Sequence, residues 1–131
     1  MDYTQMNIVD EYRNSENCRK AVTRFLERKG CTVLDELEEG YLHVVFKDEG
    51  KLVFAACTVG HGQFVDMDFN KLRPAFESQA IKWLASNNNM VGDCRIRFDC
   101  ISLAIASENS AVLRHHMNVL NALEEGEKKN A

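Results

Sequence analysis

The sequence predicts a single α/β domain in which helices cover both faces of a mixed β-sheet. The chain has 131 residues, of which 45% are hydrophobic, and this is enough for one core and too little for two. Segments with helical periodicity alternate with short runs rich in β-branched residues, in the order α-β-β-β-α-β-β. A helix leading from one strand to a later strand of the same sheet requires a crossover, so helices and strands are expected to form stacked layers.

The first helix is predicted from Ser15 to Lys29 because its apolar residues recur at the spacing of one helical face. These residues are Cys18, Ala21, Val22, Phe25 and Leu26. Asn14 or Ser15 can cap the start and Gly30 can end the helix. The opposite side carries basic residues at successive i+4 positions, Lys20, Arg24 and Arg28, which we interpret as a solvated face.

Three short β-rich runs follow, and the turn-like segments between them predict a β-meander. The runs are Cys31 to Leu37, Tyr41 to Phe46 and Leu52 to Val59. A second helix is predicted from Asn70 to Ala85 by the same periodicity argument, with Pro74 tolerated near its start.

The C-terminal part of the domain is predicted to be a long strand and a short final one, Arg95 to Ile105 and Ala111 to His115. We therefore divide the chain into an N-terminal extension at residues 1–14, one domain at residues 15–120, and a charged C-terminal tail at residues 121–131.

Composition limits the possible functions. There are 16 basic and 20 acidic residues, a net charge of -4, which opposes strong sequence-independent binding to phosphate backbones. The five cysteines form no CxxC pair, so they are interpreted as buried thiols in a reducing cytoplasm rather than a disulfide framework or zinc ribbon. No apolar run is long enough to span a membrane. We expect a cytoplasmic protein that has no cofactor and does not associate with membranes.

Several local strings, taken in order, resemble one protein family. They are Glu16 with Ala21, the segment 25–30, the segment 52–54, Lys71, the segment 97–99 and the segment 115–118. In this combination the chain resembles the YraN-like family of small bacterial proteins, over about residues 15–120. The resemblance implies a restriction-endonuclease-like fold, with three α/β/α layers and a mixed central sheet.

The resemblance also implies where a nuclease site would lie. The family's Gly-Glu-Ile-Asp string falls on residues 40–43, and its Glu-x-Lys string falls on residues 56–58. The site positions are then Glu16, His43, Ala56 and Thr58, and only the first keeps a carboxylate. Because side chains alternate along a strand, Tyr41 and His43 are expected on one face, converging with Ala56 and Thr58.

These substitutions remove the chemistry of a nuclease, because metal-assisted phosphodiester hydrolysis needs hard oxygen ligands for Mg²⁺ and a positive group near the transition state. We therefore predict a catalytically inactive nuclease-like protein that binds DNA or RNA. The candidate nucleic-acid-binding residues are Lys71, Arg73, Lys82, Arg95 and Arg97.

Two alternative functions remain open. The first is a pseudo-enzyme that binds a protein partner or a second copy of the chain, favoured by the acidic patch Asp35, Glu36, Glu38 and Glu39. The second is a nuclease with relocated carboxylates, drawn from Glu16, Glu36, Asp48, Asp66 and Asp68. Transition-metal sites from His43, Cys57 and His61, or from His115 and His116, are disfavoured because alternation along a strand separates their side chains.

Overall fold

The computed structural model describes residues 11–87, 92 and 94–120. Residues 11–14 are helical and lead into the first long helix. The elements that follow are α1 (Glu16–Arg28), β1 (Thr32–Glu36), β2 (Val44–Asp48), β3 (Lys51–His61), α2 (Phe69–Ser86), β4 (Arg95–Ser107) and β5 (Ser110–His116). Residues 1–10 of the predicted extension and the whole predicted tail lie outside the described residues.

The five strands form one mixed sheet in the order β1-β2-β3-β4-β5. All neighbouring strands are antiparallel except β3 and β4, which run parallel over eleven residue pairs from Lys51↔Arg95 to His61↔Ile105. A parallel pair cannot be joined by a tight turn, and α2 supplies the crossover between them. The mixed α/β architecture and the element order predicted from the sequence are confirmed.

Alternate residues of β3 divide the core into two halves. Val53, Ala55, Cys57 and Val59 belong to an apolar cluster with Val22 and Leu26 of α1. Leu52, Phe54 and Ala56 belong to a second cluster with Leu72, Phe76 and Trp83 of α2. The two-residue alternation of a strand thus sends neighbouring side chains to different helices, which produces three layers.

The second strand begins at Val44, three residues later than predicted. The backbone of His43 still donates to the Ala55 carbonyl oxygen and accepts the Leu37 N–H, each at 2.8 Å, but side chains hold the residues before it. The guanidinium of Arg13 donates to the carbonyl oxygens of Leu37, Gly40 and Leu42 at 2.8–3.0 Å. From the other side Gln79 accepts from the Leu42 N–H at 2.8 Å and donates to the Leu42 carbonyl at 3.1 Å. These bonds explain why the Gly40-Tyr41-Leu42-His43 string is a loop.

Gly60, near the end of β3, is a position where the backbone approaches another segment closely. A Cβ atom there would lie 2.2 Å from the carbonyl oxygen of Gln63 and 2.9 Å from a methyl group of Val65. We expect Gly60→Ala to lower the free energy of unfolding by about 1–3 kcal/mol, because the segment after β3 must move away. Urea denaturation measures this change. Gly50→Ala, where a Cβ would meet nothing within 4 Å, tests the backbone effect alone because φ is +80° there.

Candidate functional site

His43, which takes the place of the aspartate in the Gly-Glu-Ile-Asp string that the resemblance implies, is buried on the α1 side of the sheet. Its side chain is 2% exposed, and its ring lies edge-on to the ring of Tyr12 with centroids 4.8 Å apart. Its Nδ1 accepts the backbone N–H of Cys57 at 2.8 Å. Tyr12 is itself 3% exposed and belongs to the α1 cluster. The side chain at this position, where the resemblance implies a metal ligand, is therefore packed against an aromatic ring.

Ala56 and Thr58 face the opposite side of the sheet. Ala56 is fully buried in the α2 cluster. Thr58 shares its strand face, and its hydroxyl donates to the carbonyl oxygen of Val65 at 3.2 Å. The expected convergence of His43 with these two residues is wrong, because the loop before β2 carries Tyr41 to the α2 cluster while His43 turns toward Tyr12. The fourth predicted position, Glu16, is exposed and pairs with Lys20 at 3.1 Å.

The groups around His43 are unsuited to catalysis. Burial raises the pKa of the Cys57 thiol well above its ordinary value, and nearby Cys100 adds to this effect. Burial likewise raises the pKa of the Tyr12 hydroxyl. Both groups stay protonated at neutral pH, so neither supplies a nucleophile or an anionic ligand.

A buried ionic network lies farther along the α1 side of the sheet, and the sequence did not predict it. Arg97 donates through Nε and Nη2 to the two carboxylate oxygens of Asp99, each at 2.8 Å, and through Nη2 to Asp48 at 2.8 Å. Asp99 also accepts from His115 Nε2 at 2.7 Å and from the Asn118 N–H at 2.9 Å. Lys29 Nζ lies 2.7 Å from His115 Nδ1, and an ammonium can only donate, so His115 carries its proton on Nε2.

The network fixes the charge states of its central pair. Hydrogen bonds to Asp99 raise the pKa of Arg97 despite its burial. Burial alone would raise the pKa of Asp99, but hydrogen bonds from His115 and Arg97 hold it below its ordinary value. Arg97 is therefore a buried cation with both partners inside the protein, and this arrangement does not support its predicted role in nucleic-acid binding.

The remaining basic residues of the predicted set do not form one surface. Lys71 and Lys82 are exposed on α2, which covers one face of the sheet. Arg73 is half-buried, pairs with Glu77 at 3.3 Å and donates to the carbonyl oxygen of Leu120 at 3.4 Å. Arg95 is exposed at the start of β4, whereas Arg97 is buried in the ionic network.

Two of the carboxylates considered as relocated ligands, Asp48 and Asp68, have other roles. Asp48 pairs with Arg97, and Asp68 caps α2 by accepting the N–H of Lys71. His61 pairs with Glu11, and His115 belongs to the buried network while the neighbouring His116 is exposed. Within residues 11–87, 92 and 94–120, no three His, Cys, Asp or Glu side chains are placed to hold a metal ion.

An open cleft between α1 and the end of β1 is lined by three basic side chains, two of which, Lys20 and Arg24, belong to the predicted solvated face. The cleft has a volume of about 410 Å³ and is lined by Glu16, Arg19, Lys20, Thr23, Arg24 and Glu36. The Nε atom of Arg19 is shielded from solvent and has no hydrogen-bond partner among the described residues. The i+4 spacing of Lys20 and Arg24 in the sequence indicates part of this surface. The sequence does not indicate that Glu36 of β1 lies beside them.

A second and larger groove, about 890 Å³, runs between β1, the following loop and α2. Four carboxylates line it, those of Asp35, Glu36, Glu38 and Glu39, against the single ammonium of Lys82. Trp83 forms part of its wall and donates from Nε1 to Asp35 at 2.8 Å. Glu36 borders both this acidic groove and the basic cleft, so the two surfaces adjoin.

No protein-family model and no curated protein matches the chain. The resemblance to the YraN-like family therefore remains a prediction that depends on the residues quoted above. Among the described helices, none has the length and apolar character that crossing a membrane would require.

Proposed function

We propose that the protein is a non-catalytic relative of restriction-endonuclease-like nucleases that binds nucleic acid through the outer face of α1. The observation that carries the proposal is the charge of this helix. Its thirteen residues include four basic and two acidic side chains, whereas the whole chain has a net charge of -4. Lys20, Arg24 and Arg28 are all exposed. They follow one another at about 6 Å along the helix axis, so they present a row of cations to a phosphate backbone.

The arrangement of the former catalytic positions supports binding without cleavage. His43 and Ala56 are buried on opposite sides of the sheet. Metal-assisted phosphodiester hydrolysis, the type that the resemblance implies, needs at least one metal ion held next to the scissile phosphate by converging oxygen ligands. A nucleic-acid backbone lying on α1 would contact cations, but it would meet no set of converging oxygen ligands among the described residues.

The acidic groove sets the direction from which nucleic acid approaches. Its four carboxylates repel phosphate, and Lys82 stands among them. This is why the α1 face is a better candidate than the predicted α2 residues. The same groove is the feature that favours the alternative function, a pseudo-enzyme that binds a protein partner with a basic surface.

The test is salt-dependent binding of DNA and RNA oligonucleotides, measured by fluorescence anisotropy with wild type and two double variants. We expect Arg24→Gln with Arg28→Gln to weaken binding and to reduce the slope of log K against log salt by about 1 for each contact removed. Lys71→Gln with Lys82→Gln removes the same charge from α2 and should leave the slope unchanged.

Three results would contradict the proposal. An absence of salt-dependent binding to any oligonucleotide would favour the protein-interaction alternative. A larger loss in the α2 double variant would show that the residues predicted from the sequence form the true surface. Cleavage of the oligonucleotides by wild type in Mg²⁺ or Mn²⁺, absent in a Glu16→Gln variant, would show a working nuclease.

A further inference from the structure

A lysine, a histidine and an aspartate form a hydrogen-bonded chain at the end of α1. Lys29, the C-cap residue of α1, is exposed, and its Nζ lies 2.7 Å from His115 Nδ1. On the other side of the imidazole ring, His115 Nε2 lies 2.7 Å from a carboxylate oxygen of Asp99. A nucleophile within hydrogen-bond distance of a base that a third group orients is the general arrangement of an activated nucleophile.

His115 is held in one orientation and away from water. Its side chain is 3% exposed, and its ring packs edge-on against Phe25 and Phe46, with centroids 5.9 and 6.2 Å away. Because Nε2 donates its proton to Asp99, the lone pair of Nδ1 is directed at the Lys29 amine. The imidazole is therefore placed to accept a proton from Lys29.

The charges behind His115 favour its protonated form. Asp99 and Asp48 both bond to Arg97, so these three side chains together carry one net negative charge. A proton that moves from Lys29 to His115 places an imidazolium next to this charge, as in the Ser-His-Asp triad, where the aspartate stabilises the imidazolium. The transfer leaves Lys29 as a neutral amine, which is the nucleophilic form of a lysine.

Lys29 is also the accessible nucleophile at this place. The thiol of the nearby Cys31 is buried, and burial raises its pKa, so it stays protonated at neutral pH. The Lys29 ammonium lies over the exposed edge of the domain, 5.2 Å from the centre of the Phe25 ring. Arg28, the preceding residue, belongs to the row of cations on α1. A strand bound along that row would pass close to the amine.

We propose, on the basis of the proposed function, that Lys29 forms a Schiff base with an aldehyde carried by a nucleic-acid strand, such as the open sugar of an abasic site. Lysine amines form Schiff bases with carbonyl compounds, and the reaction requires the neutral amine. The same aldehyde chemistry is offered by small sugars in solution, and the experiment separates the two sources.

The step is balanced without an oxidant or a reductant. His115 accepts a proton from the Lys29 ammonium, and the amine lone pair forms a bond to the aldehyde carbon while the C=O electron pair moves to oxygen. Two protons of the original ammonium, one of them returned by His115, leave with this oxygen as water when the C=N bond forms. The product is a protonated imine, and no phosphodiester bond is cleaved.

The experiment traps the imine with sodium cyanoborohydride and locates the adduct by intact mass and peptide mapping. The full chain is incubated at pH 7 with a single-stranded DNA 12-mer containing one abasic site, with the intact 12-mer, or with free 2-deoxyribose. We expect a one-to-one adduct of the abasic strand at Lys29 and none of the intact strand. The rate should exceed that of free 2-deoxyribose by about tenfold or more, because the α1 cations concentrate the strand.

Three variants test the roles of the residues. Lys29→Arg keeps the charge and removes the nucleophile, so the adduct should disappear while salt-dependent binding of the intact strand remains. Lys51→Arg, the same change at an exposed lysine of the β2–β3 hairpin, should leave the rate unchanged. His115→Gln should slow trapping about a hundredfold at pH 7. Raising the pH to about 10, where ordinary lysines lose their proton, should restore most of this rate, which a purely structural role would not do.

Several results would overturn the proposal. Adducts spread evenly over the lysines, equal rates for the abasic strand and free 2-deoxyribose, or an unchanged rate in folded His115→Gln would each do so. Salt-dependent binding of the intact strand without any adduct of the abasic strand would remove the Schiff base and leave nucleic-acid binding intact. Absence of both binding and adduct would remove both proposals.

Discussion

Replacing Asp99 by asparagine should lower the free energy of unfolding by about 3–5 kcal/mol at neutral pH, the range observed when one partner of a buried ion pair is removed. Asp99 is fully buried and accepts hydrogen bonds from Arg97, His115 and the Asn118 N–H. The amide keeps the shape of the side chain but removes the charge that balances Arg97. One of its ends would also point donors at the donors of Arg97, so the buried guanidinium would lose much of its compensation.

The effect of Asp99→Asn should depend on pH in one direction. The pKa of Asp99 lies below its ordinary value in the folded protein, after the opposing effect of burial is included. The stability from its ionised form is therefore complete above the unfolded-state pKa, about 3.9, and is lost as pH falls through the lower folded-state pKa. Urea denaturation should show a large difference between wild type and variant at pH 7 that shrinks below about pH 4.

Glu38→Gln provides the matched control, because Glu38 is exposed and its substitution should change stability by no more than about 0.5 kcal/mol. A loss below about 1 kcal/mol for Asp99→Asn at pH 7 would contradict the buried network. A loss of the same size at pH 7 and pH 3 would contradict the assigned charge state of Asp99.

The sequence predicted the helices and strands because their periodicities are local properties. The α1 range differs from the prediction by one residue at each end, and β4 begins at the predicted residue. The start of β2 was missed because it depends on Arg13 and Gln79, which contact the loop across 24 to 40 positions of sequence. A local sequence pattern cannot reveal such bonds. The strand alternation counted from Tyr41 therefore placed the His43 side chain on the wrong face of the sheet.

The ionic network illustrates a similar limit. Arg97 and Asp99 are two positions apart on one strand, so their shared face was visible in the sequence and could have suggested an ion pair. Their partners Asp48 and His115 come from β2 and β5. Only the strand order places those two strands on either side of β3 and β4. Arg97 was therefore interpreted as a surface contact, whereas the structure places it in a buried ionic network.

The basic residues of α1 were interpreted as a solvated face, and no local pattern favours them over the basic residues of α2 for phosphate binding. The distinction depends on what lies beside each helix. Arg24 borders a cleft that Arg19 and Lys20 also line, whereas Lys82 borders an acidic groove. Basic residues on a helix attract phosphate less strongly when carboxylates line the neighbouring element. The tertiary fold decides which element lies beside each helix.

Restoring the signature residues should fail to rebuild a metal site, and the attempt should cost much of the stability. In the triple variant His43→Asp, Ala56→Glu and Thr58→Lys, the first carboxylate would lie beside Tyr12 on the α1 side, and the other two side chains would lie on the α2 side. Ala56 is fully buried among apolar residues, so Ala56→Glu adds overpacking of about 1–3 kcal/mol to the burial of a carboxyl without a designed partner, itself worth several kcal/mol. We expect Ala56→Glu alone to lower the free energy of unfolding by about 4 kcal/mol, a large part of the 5–15 kcal/mol typical of a domain. Urea denaturation measures this loss, and Ala106→Glu, at an exposed alanine of β4, is the matched control with an expected change within about 0.5 kcal/mol.

Calorimetric titration of the triple variant with Mn²⁺ tests the site itself. One-to-one binding at millimolar or tighter affinity by a folded triple variant, with no such binding by wild type, would show that the three positions share one pocket and that the opposite-face assignment is incorrect.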